Sequence, residues 1–252
     1  MIFTKLKKSH LIRHHLNKIK SSEYSQVLIM RTLGNFLILT SLFFIAKTFY
    51  LPVREEIRYF VDSRIQKKYL VADSSNQIGI DRYQYGSQPK GLLAQALNLK
   101  DVEFLVPQDP DFSIVIPKIG ANAKILTNVD AGDKKAYLEA LNKGVAHALG
   151  TKFPGEQGHI FLFAHSTDYF WNVGSYNAVF YLLSKLDKSD EVDLFYNGQR
   201  FVYQVTGKTI VDPSQVEYLT RKSNKEFLTL QTCWPPGTTL KRLLVFASRV
   251  EE

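Results

Sequence analysis

The sequence has only one cysteine, Cys233, among its 252 residues. A single thiol excludes a disulfide framework within the chain and any zinc site built from several cysteines. The P-loop, GxSxG, HExxH and CxxC patterns are also absent, so NTPase, serine hydrolase and common zinc chemistries have no support. No cofactor or metal site is predicted, and any chemistry has to be sought around the one thiol.

Acidic residues are scarce at the N-terminus. The first 34 residues hold seven lysines and arginines but one acid, Glu23, whereas the other 218 residues are nearly balanced, with 25 basic and 23 acidic residues. The net charge of +8 therefore belongs mostly to the N-terminal tail and not to a face of the folded domain. This distribution gives no reason to expect a nucleic-acid partner.

The tail is followed by a long apolar run. Residues 33–53 contain one charged side chain, Lys47, near the far end of the run. About 20 apolar residues are enough to cross a bilayer as a helix, and the basic excess before the run places the N-terminus in the cytoplasm. We therefore predict a transmembrane anchor, and a buried core helix or a cleaved signal peptide remain the alternatives.

The rest of the chain divides by composition. We predict a basic cytoplasmic tail at 1–32, the anchor at 33–53, a stalk helix and linker at 54–108, and a β-rich domain at 109–252. The stalk helix is expected over REEIRYFVDSRIQKKYL, where apolar residues recur at helical spacing. The polar stretch 73–91 is typical of a linker, and GLLAQALNL after it suggests one more short helix.

The last segment contains short β-branched or aromatic runs bounded by Gly, Pro, Asn and Asp, a pattern typical of an all-β sandwich or barrel. The runs are FSIVIPKIG, GHIFLFAHS, DEVDLFYNG, RFVYQVTGKTIV, FLTLQTC and RLLVFASRV. Asn197-Gly198 between two of them predicts a hairpin. Two stretches, DKKAYLEALNKG and YNAVFYLLSKL, predict helices. We therefore predict an all-β fold, a barrel decorated with short helices.

Three residues near strand ends are candidates for chemistry. Cys233 ends a strand before Pro-Pro-Gly, and a free cysteine is either a small buried hydrophobe or a nucleophile that needs a base and an oxyanion donor. His165 ends another strand, beside a long polar and aromatic loop, although a structural histidine is the alternative. Arg242 opens the last strand and carries five donors in a planar fork, or it is simply a solvated charge.

These residues lie in a recognisable pattern. TLQTC followed nine residues later by Arg242, with FAHS upstream, resembles the sortase family of membrane-anchored cysteine transpeptidases. IPKIG and GVAHALGTKFPGEQG extend the resemblance over roughly residues 112–250. It implies an eight-stranded β-barrel in which Cys233 is the nucleophile, His165 its acid/base partner and Arg242 the stabiliser of substrate and oxyanion.

The resemblance also implies a substrate and a place in the cell. A sortase of this kind cleaves a C-terminal LPxTG-like sorting signal of a surface protein and transfers the acyl group to an amine, either of a cell-wall precursor or of a pilin lysine. It sits in the bacterial cell membrane with a single span and an extracellular catalytic domain. Alternatives are a membrane-anchored thiol hydrolase and a peptide-binding domain without catalysis.

The groove for the sorting signal is expected around the strand ends. The segment from Val211 to Lys225 would help to form it by resemblance, and Trp234 would line it unless it is a core aromatic. The predicted substrate-binding residues are Thr232, Trp234, Ser166, Val211 and Val216. One departure from the family pattern is Ser189 before Asp190, where a glycine is common, and no acidic calcium site can be matched.

Overall fold

A computed structural model describes residues 3–65, 67–71, 102–166 and 179–250 of the chain. The chain forms two compact units, Met1–Leu51 and Pro52–Glu252. The predicted linker at 73–91 and the predicted helix GLLAQALNL lie outside the described residues.

Helix α1 (Phe3–Arg64) contains the apolar run. Within it, Glu23–Tyr50 is long and apolar enough to cross a membrane, with a mean hydropathy of 1.8 and none of its most apolar window buried. This exposure is not that of a buried core helix, because a core helix would hide its apolar side chains.

The last turns of α1, which belong to the Pro52–Glu252 unit, pack on the barrel. Arg58 donates to Glu55 at 2.8 Å and to the carbonyl of Ile119 at 3.0 Å, and Tyr59 packs against the barrel interior. Gly120 has a φ of 61°, and a Cβ at this position would collide with Nη1 of Arg58. The helix ends at Arg64, so the prediction that it continues through KKYL was wrong.

Ten strands lie in the described residues, and eight of them close into a barrel in the order β10–β8–β7–β3–β4–β5–β6–β9, which confirms the predicted fold. The barrel strands are β3 (Phe112–Ile116), β4 (Ala121–Val129), β5 (Val145–Ala148), β6 (His159–Phe163), β7 (Glu191–Tyr196), β8 (Gln199–Val211), β9 (Phe227–Trp234) and β10 (Lys241–Arg249). The other two, β1 (Lys68–Val71) and β2 (Val102–Leu105), form a small parallel sheet.

Every barrel strand contributes alternate residues to an interior cluster, which includes Ile114, Ile125, Leu162, Leu194, Leu228 and Val245. A second cluster, here called the helix-side cluster, covers part of the outer face. It includes Leu141 of helix α2 (Lys134–Leu141), Phe163 and Leu244. A third cluster joins Val71 and Leu105 to the outer faces of β3 and β7.

Local sequence explains several of these elements. Asp133 caps α2 by accepting from the backbone N–H groups of Lys135 and Ala136, and the predicted helix DKKAYLEALNKG is confirmed. Asn197 and Gly198 both have positive φ, 50° and 74°, which is the geometry of the predicted hairpin turn between β7 and β8.

Strands β1 and β2 lie in the segment predicted as stalk helix and linker, and three elements of the barrel domain also differ from the sequence-based expectation. In YNAVFYLLSKL the described part, from residue 179, forms a turn and the 3₁₀ helix Leu183–Lys185 instead of an α-helix. Phe180, Leu183 and Leu186 are all fully buried, and a spacing of three residues matches three residues per turn. Strands β4 and β5 were missed, because β4 buries small alanines and β5 is buried throughout its four residues, so neither shows a clear alternation of large apolar side chains.

His159 begins β6 and is 5% exposed. Its Nε2 lies 2.9 Å from Oγ1 of Thr229 on β9, and its ring stacks on Phe227 at 4.3 Å. Burial, together with the charge of Arg221, lowers the pKa of His159 from 6.5 to about 4. The folded barrel therefore holds this imidazole neutral at neutral pH.

This pKa gives an expected pH dependence. The unfolded chain binds a proton at His159 near pH 6.5 and the folded chain only near pH 4, so stability is lost as the pH falls through this window. From pH 7 to pH 5 the loss attributable to His159 should be about 1.5–2 kcal/mol in urea unfolding of residues 52–252. His159→Gln keeps a donor for Thr229. Between pH 7 and pH 5 the free energy of unfolding of this variant should therefore fall by about 1.5–2 kcal/mol less than that of the wild type. Equal losses in both proteins would contradict the assignment.

Candidate active site

Three neighbouring strands meet at one edge of the barrel. Strands β6 and β9 are parallel, so their carboxyl ends lie at the same edge, and β10 runs antiparallel to β9 and therefore begins there. His165 follows β6, Cys233 is the penultimate residue of β9, and Arg242 is the second residue of β10. Topology thus brings together three residues that lie up to 77 positions apart in sequence.

The register of the strands sets these residues side by side. Cys233 pairs directly with Arg242, and Phe163 pairs with Gln231, which puts His165, two residues farther, level with Cys233. Adjacent strands lie about 4.8 Å apart, so Cys233 stands about one strand spacing from Arg242, and His165 follows the strand on the other side of β9.

All three residues belong to the same, outer face of the barrel. Leu228 and Leu230 of β9 point into the interior cluster, so the alternate residues of this strand, Cys233 included, point outward. On the flanking strands, Phe163 and Leu244 belong to the helix-side cluster, and they lie two residues from His165 and Arg242. The site therefore continues the packed outer face of the barrel, and a thiol, an imidazole and a guanidinium converge at its end.

Hydrogen bonds hold the strand ends in register. The backbone N–H of Ala164 donates to the carbonyl of Gln231 at 3.1 Å, which extends the β6–β9 ladder to the residue before His165. The hydroxyl of Thr232 donates to the carbonyl of Ala164 at 3.0 Å. Thr232 was predicted to bind substrate, but it is only 3% exposed. Its hydrogen bond joins β9 to the end of β6, one residue before Cys233 and one residue before His165.

The guanidinium of Arg242 is oriented by backbone carbonyls. Its Nη1 donates to the carbonyl of Thr239 at 3.1 Å and to that of Lys241 at 3.0 Å. Within the described part of the chain, Nε and Nη2 make no hydrogen bond, so the remaining donors are available to an incoming carbonyl oxygen. The carbonyl of Thr239 is a part of the site that side-chain patterns could not reveal.

The other predicted substrate-binding residues lie in different environments. Val211 ends β8 opposite Arg242 and is buried in the helix-side cluster, whereas Val216 is 63% exposed in the connection that follows. Ser166 is buried. Trp234 packs partly against the interior cluster. Val211 thus lies beside Arg242, whereas Trp234 packs toward the barrel interior.

The histidines at 147 and 159 have other environments. The imidazole Nε2 of His147, which is fully buried, lies 3.0 Å from the carbonyl of Lys152, and burial lowers its pKa. His159 is bound to Thr229 at the opposite end of β6. Of the described residues, no group of three or more His, Cys, Asp or Glu side chains is arranged to hold a metal ion.

The fold and the candidate site together describe one class of protein. It is a closed β-barrel with a cysteine at one edge, on the strand between those that lead to a histidine and an arginine. A family model described as the Sortase domain matches residues 114–250. The chain therefore belongs to the sortase family, which confirms the resemblance drawn from the sequence motifs.

The chain is also similar to named proteins and solved structures. Sortase D of Bacillus subtilis (strain 168) is 32% identical over 138 residues, which is 54% of this chain and 61% of that protein. Sortase C1 of GBS Pilus Island 1 is 28% identical, with a TM-score of 0.48 over 56% of this chain and 64% of that one. Sortase C-1 from Actinomyces oris is 32% identical, with a TM-score of 0.47 over 57% of this chain and 76% of that one. The similarity thus spans less than two thirds of the first two relatives.

The bond from Thr232 gives a prediction about the site's framework. Thr232→Val keeps the shape of the side chain but leaves the buried carbonyl of Ala164 without this donor, which should cost about 1–3 kcal/mol in urea unfolding of residues 52–252. Thr206 makes the matched control, because its hydroxyl donates to the carbonyl of Phe246 at 3.2 Å in an exposed position. Thr206→Val should cost much less, and equal costs would contradict the role given to Thr232.

Proposed function

We propose that this sortase is a cysteine transpeptidase that cleaves an LPxTG-like sorting signal and transfers the acyl group to an amine. The observation that supports this proposal is the strand register, which pairs Cys233 with Arg242 and sets β6, the strand that His165 follows, on the other side of the cysteine's strand. Acyl transfer needs a nucleophile, a proton carrier and an oxyanion donor within reach of one carbonyl carbon, and these three side chains supply them.

The reaction proceeds in two halves. The thiolate of Cys233 attacks the peptide carbonyl carbon, and the oxyanion accepts hydrogen bonds from the guanidinium of Arg242. The C–N bond then breaks, the imidazolium of His165 gives its proton to the leaving amine, and a thioester remains on Cys233. An acceptor amine attacks this thioester, His165 takes the amine's proton, the C–S bond breaks, and the thiolate is regenerated.

The partners and the location follow from the same proposal. The substrates are surface proteins that carry a sorting signal, and the acceptor amine belongs to a cell-wall precursor or a pilin lysine. The apolar helix Glu23–Tyr50 anchors the chain in the bacterial membrane, with the basic tail in the cytoplasm and the barrel outside.

Transfer is tested with the purified chain, a library of LPxTG-like peptides and an amine acceptor, with mass analysis of the products. We expect a product that joins the peptide to the amine, and none from Cys233→Ala, which should remain folded because a half-buried strand-end thiol contributes little packing. His165→Ala should be severely impaired. Hydrolysed peptide alone, with or without the amine, would indicate a thiol hydrolase. If Cys233 of the wild type does not react with a substrate-like electrophile, the result would indicate a peptide-binding domain without catalysis.

The same assay separates two roles for Arg242. If the planar guanidinium donates to the oxyanion, Arg242→Lys should slow acyl-enzyme formation about 10²–10³-fold, because an ammonium cannot reproduce the fork, while Tm stays nearly unchanged. Arg249→Lys, in the same strand, is the control. Small and equal effects at both positions would indicate that Arg242 is only a solvated charge and does not stabilise the oxyanion.

The topology has its own test. A protease added to intact cells should digest the barrel and leave a tag fused to residue 1 intact, because the basic excess holds the N-terminus inside. Digestion of the tag with protection of the barrel would reverse the proposed orientation.

A further inference from the structure

The connection between β8 and β9, here called the crossover segment (residues 212–226), crosses the outer face of the barrel. Both β8 and β9 neighbour β10 and run antiparallel to it, so the segment has to pass over β10 from one barrel edge to the other. It leaves Val211 beside Arg242 and enters β9 at Phe227. The segment therefore begins at the candidate active site and ends at the opposite edge.

The start of the crossover segment forms a turn with hydrogen bonds of its own, such as that from the backbone N–H of Asp212 to the side chain of Gln215, but it is weakly attached to the barrel. Asp212 forms an exposed ion pair with Lys241 at 2.6 Å, and Val216 is 63% exposed. Exposed ion pairs contribute only about 0–1 kcal/mol. The middle of the segment is better held, since Tyr218 and Leu219 pack against the helix-side cluster. The position of the exposed part beside Arg242 thus depends on how firmly the following residues are attached to the barrel.

Arg221 supplies such an attachment. Its guanidinium carbon lies 5.5 Å from the ring centre of Tyr218, 5.9 Å from that of Phe227 and 5.5 Å from that of Phe246. These distances are within the range of cation–π attraction. Phe227 belongs to β9 and Phe246 to β10, so one side chain of the crossover segment joins it to the two strands that carry Cys233 and Arg242.

The rings under Arg221 are themselves fixed. Tyr218 stacks on Phe246 at 6.0 Å, and Phe227 stacks on the buried His159 at 4.3 Å. The attachment is also remote from the chemistry, because Phe246 pairs with Thr229, four residues or about 13 Å along β9 from Cys233. Arg221 therefore holds the crossover segment without being adjacent to Cys233.

We propose that Arg221 is a positioning residue for the peptide substrate, because its contact with three aromatic rings fixes the crossover segment as a wall of the groove beside Arg242. This inference rests on the proposed transpeptidase function. A residue that shapes a binding wall without touching the reacting atoms changes substrate binding, and leaves the acyl-transfer step itself unaltered.

The test compares KM and kcat for cleavage of the sorting-signal peptide by the full chain in detergent. Arg221→Ala should raise KM about tenfold, equivalent to about 1.4 kcal/mol, with kcat within about twofold of the wild type. Arg221→Lys keeps a cation over the rings and should raise KM only about threefold.

Arg249→Ala is the matched control. Arg249 also lies over two rings, at 4.9 Å from Phe201 and 5.8 Å from Tyr203, but at the far end of β10. Its loss should leave KM within about twofold of the wild type. An unchanged KM in Arg221→Ala, an equal rise in Arg249→Ala, or a fall in kcat alone would overturn the inference.

A second readout does not depend on activity. Trypsin cleavage after Lys222 and Lys225, followed by mass spectrometry, reports how firmly the crossover segment is held. Arg221→Ala should be cut at these positions at least about fivefold faster than wild type or Arg249→Ala, since local opening exposes the backbone. Equal cutting rates in the three proteins would contradict the idea that Arg221 holds the crossover segment. Absence of peptide turnover by the wild type would instead contradict the proposed function, so the two failures are distinguished.

Discussion

The parallel pairing of β6 with β9 is the constraint on which the candidate site depends. The two strands are separated by more than 60 residues, yet their ladder runs from His159–Phe227 to Phe163–Gln231 and continues through Ala164. Because a strand turns its side chains to alternate faces, a slip of one residue would send either the imidazole or the thiol toward the barrel interior. The bond from Thr232 to Ala164 opposes that slip at the point where it would matter most.

The pairing of β10 with both β8 and β9 makes a crossover necessary. The segment that joins β8 to β9 passes over β10, and its residues Tyr218 and Leu219 pack on the helix-side cluster, which contains Leu244 and Phe163. The cluster stabilises the barrel from outside and also ends beside His165 and Arg242. The packed apolar surface and the proposed active site are therefore parts of one face, with apolar residues in its middle and the candidate catalytic residues at its edge.

The histidines show how environment separates residues of one type. His147 and His159 are buried, and burial lowers the pKa of each, which keeps them neutral and structural at neutral pH. His165 lies beyond the strand end, only partly buried and level with the thiol. A position two residues past the last paired residue of β6 thus gives His165 an environment different from those of the two buried histidines.

Local patterns in the sequence indicated the apolar span, the six strands of β-branched or aromatic residues bounded by turn formers, the hairpin at Asn197-Gly198, the capped helix α2 and the three candidate residues at strand ends. These features depend on neighbouring residues and on the strong preferences of Gly, Asn and Asp for particular backbone geometries. Strand β4, fully buried β5 and the 3₁₀ helix Leu183–Lys185 depended on burial, which local alternation does not report. Only the tertiary structure decided that β6 lies beside β9, that Thr232 fastens them, and that Arg221 reaches rings on two strands. Such pairings join distant parts of the chain, and their energy comes from closing the barrel around a common core and not from any local sequence pattern.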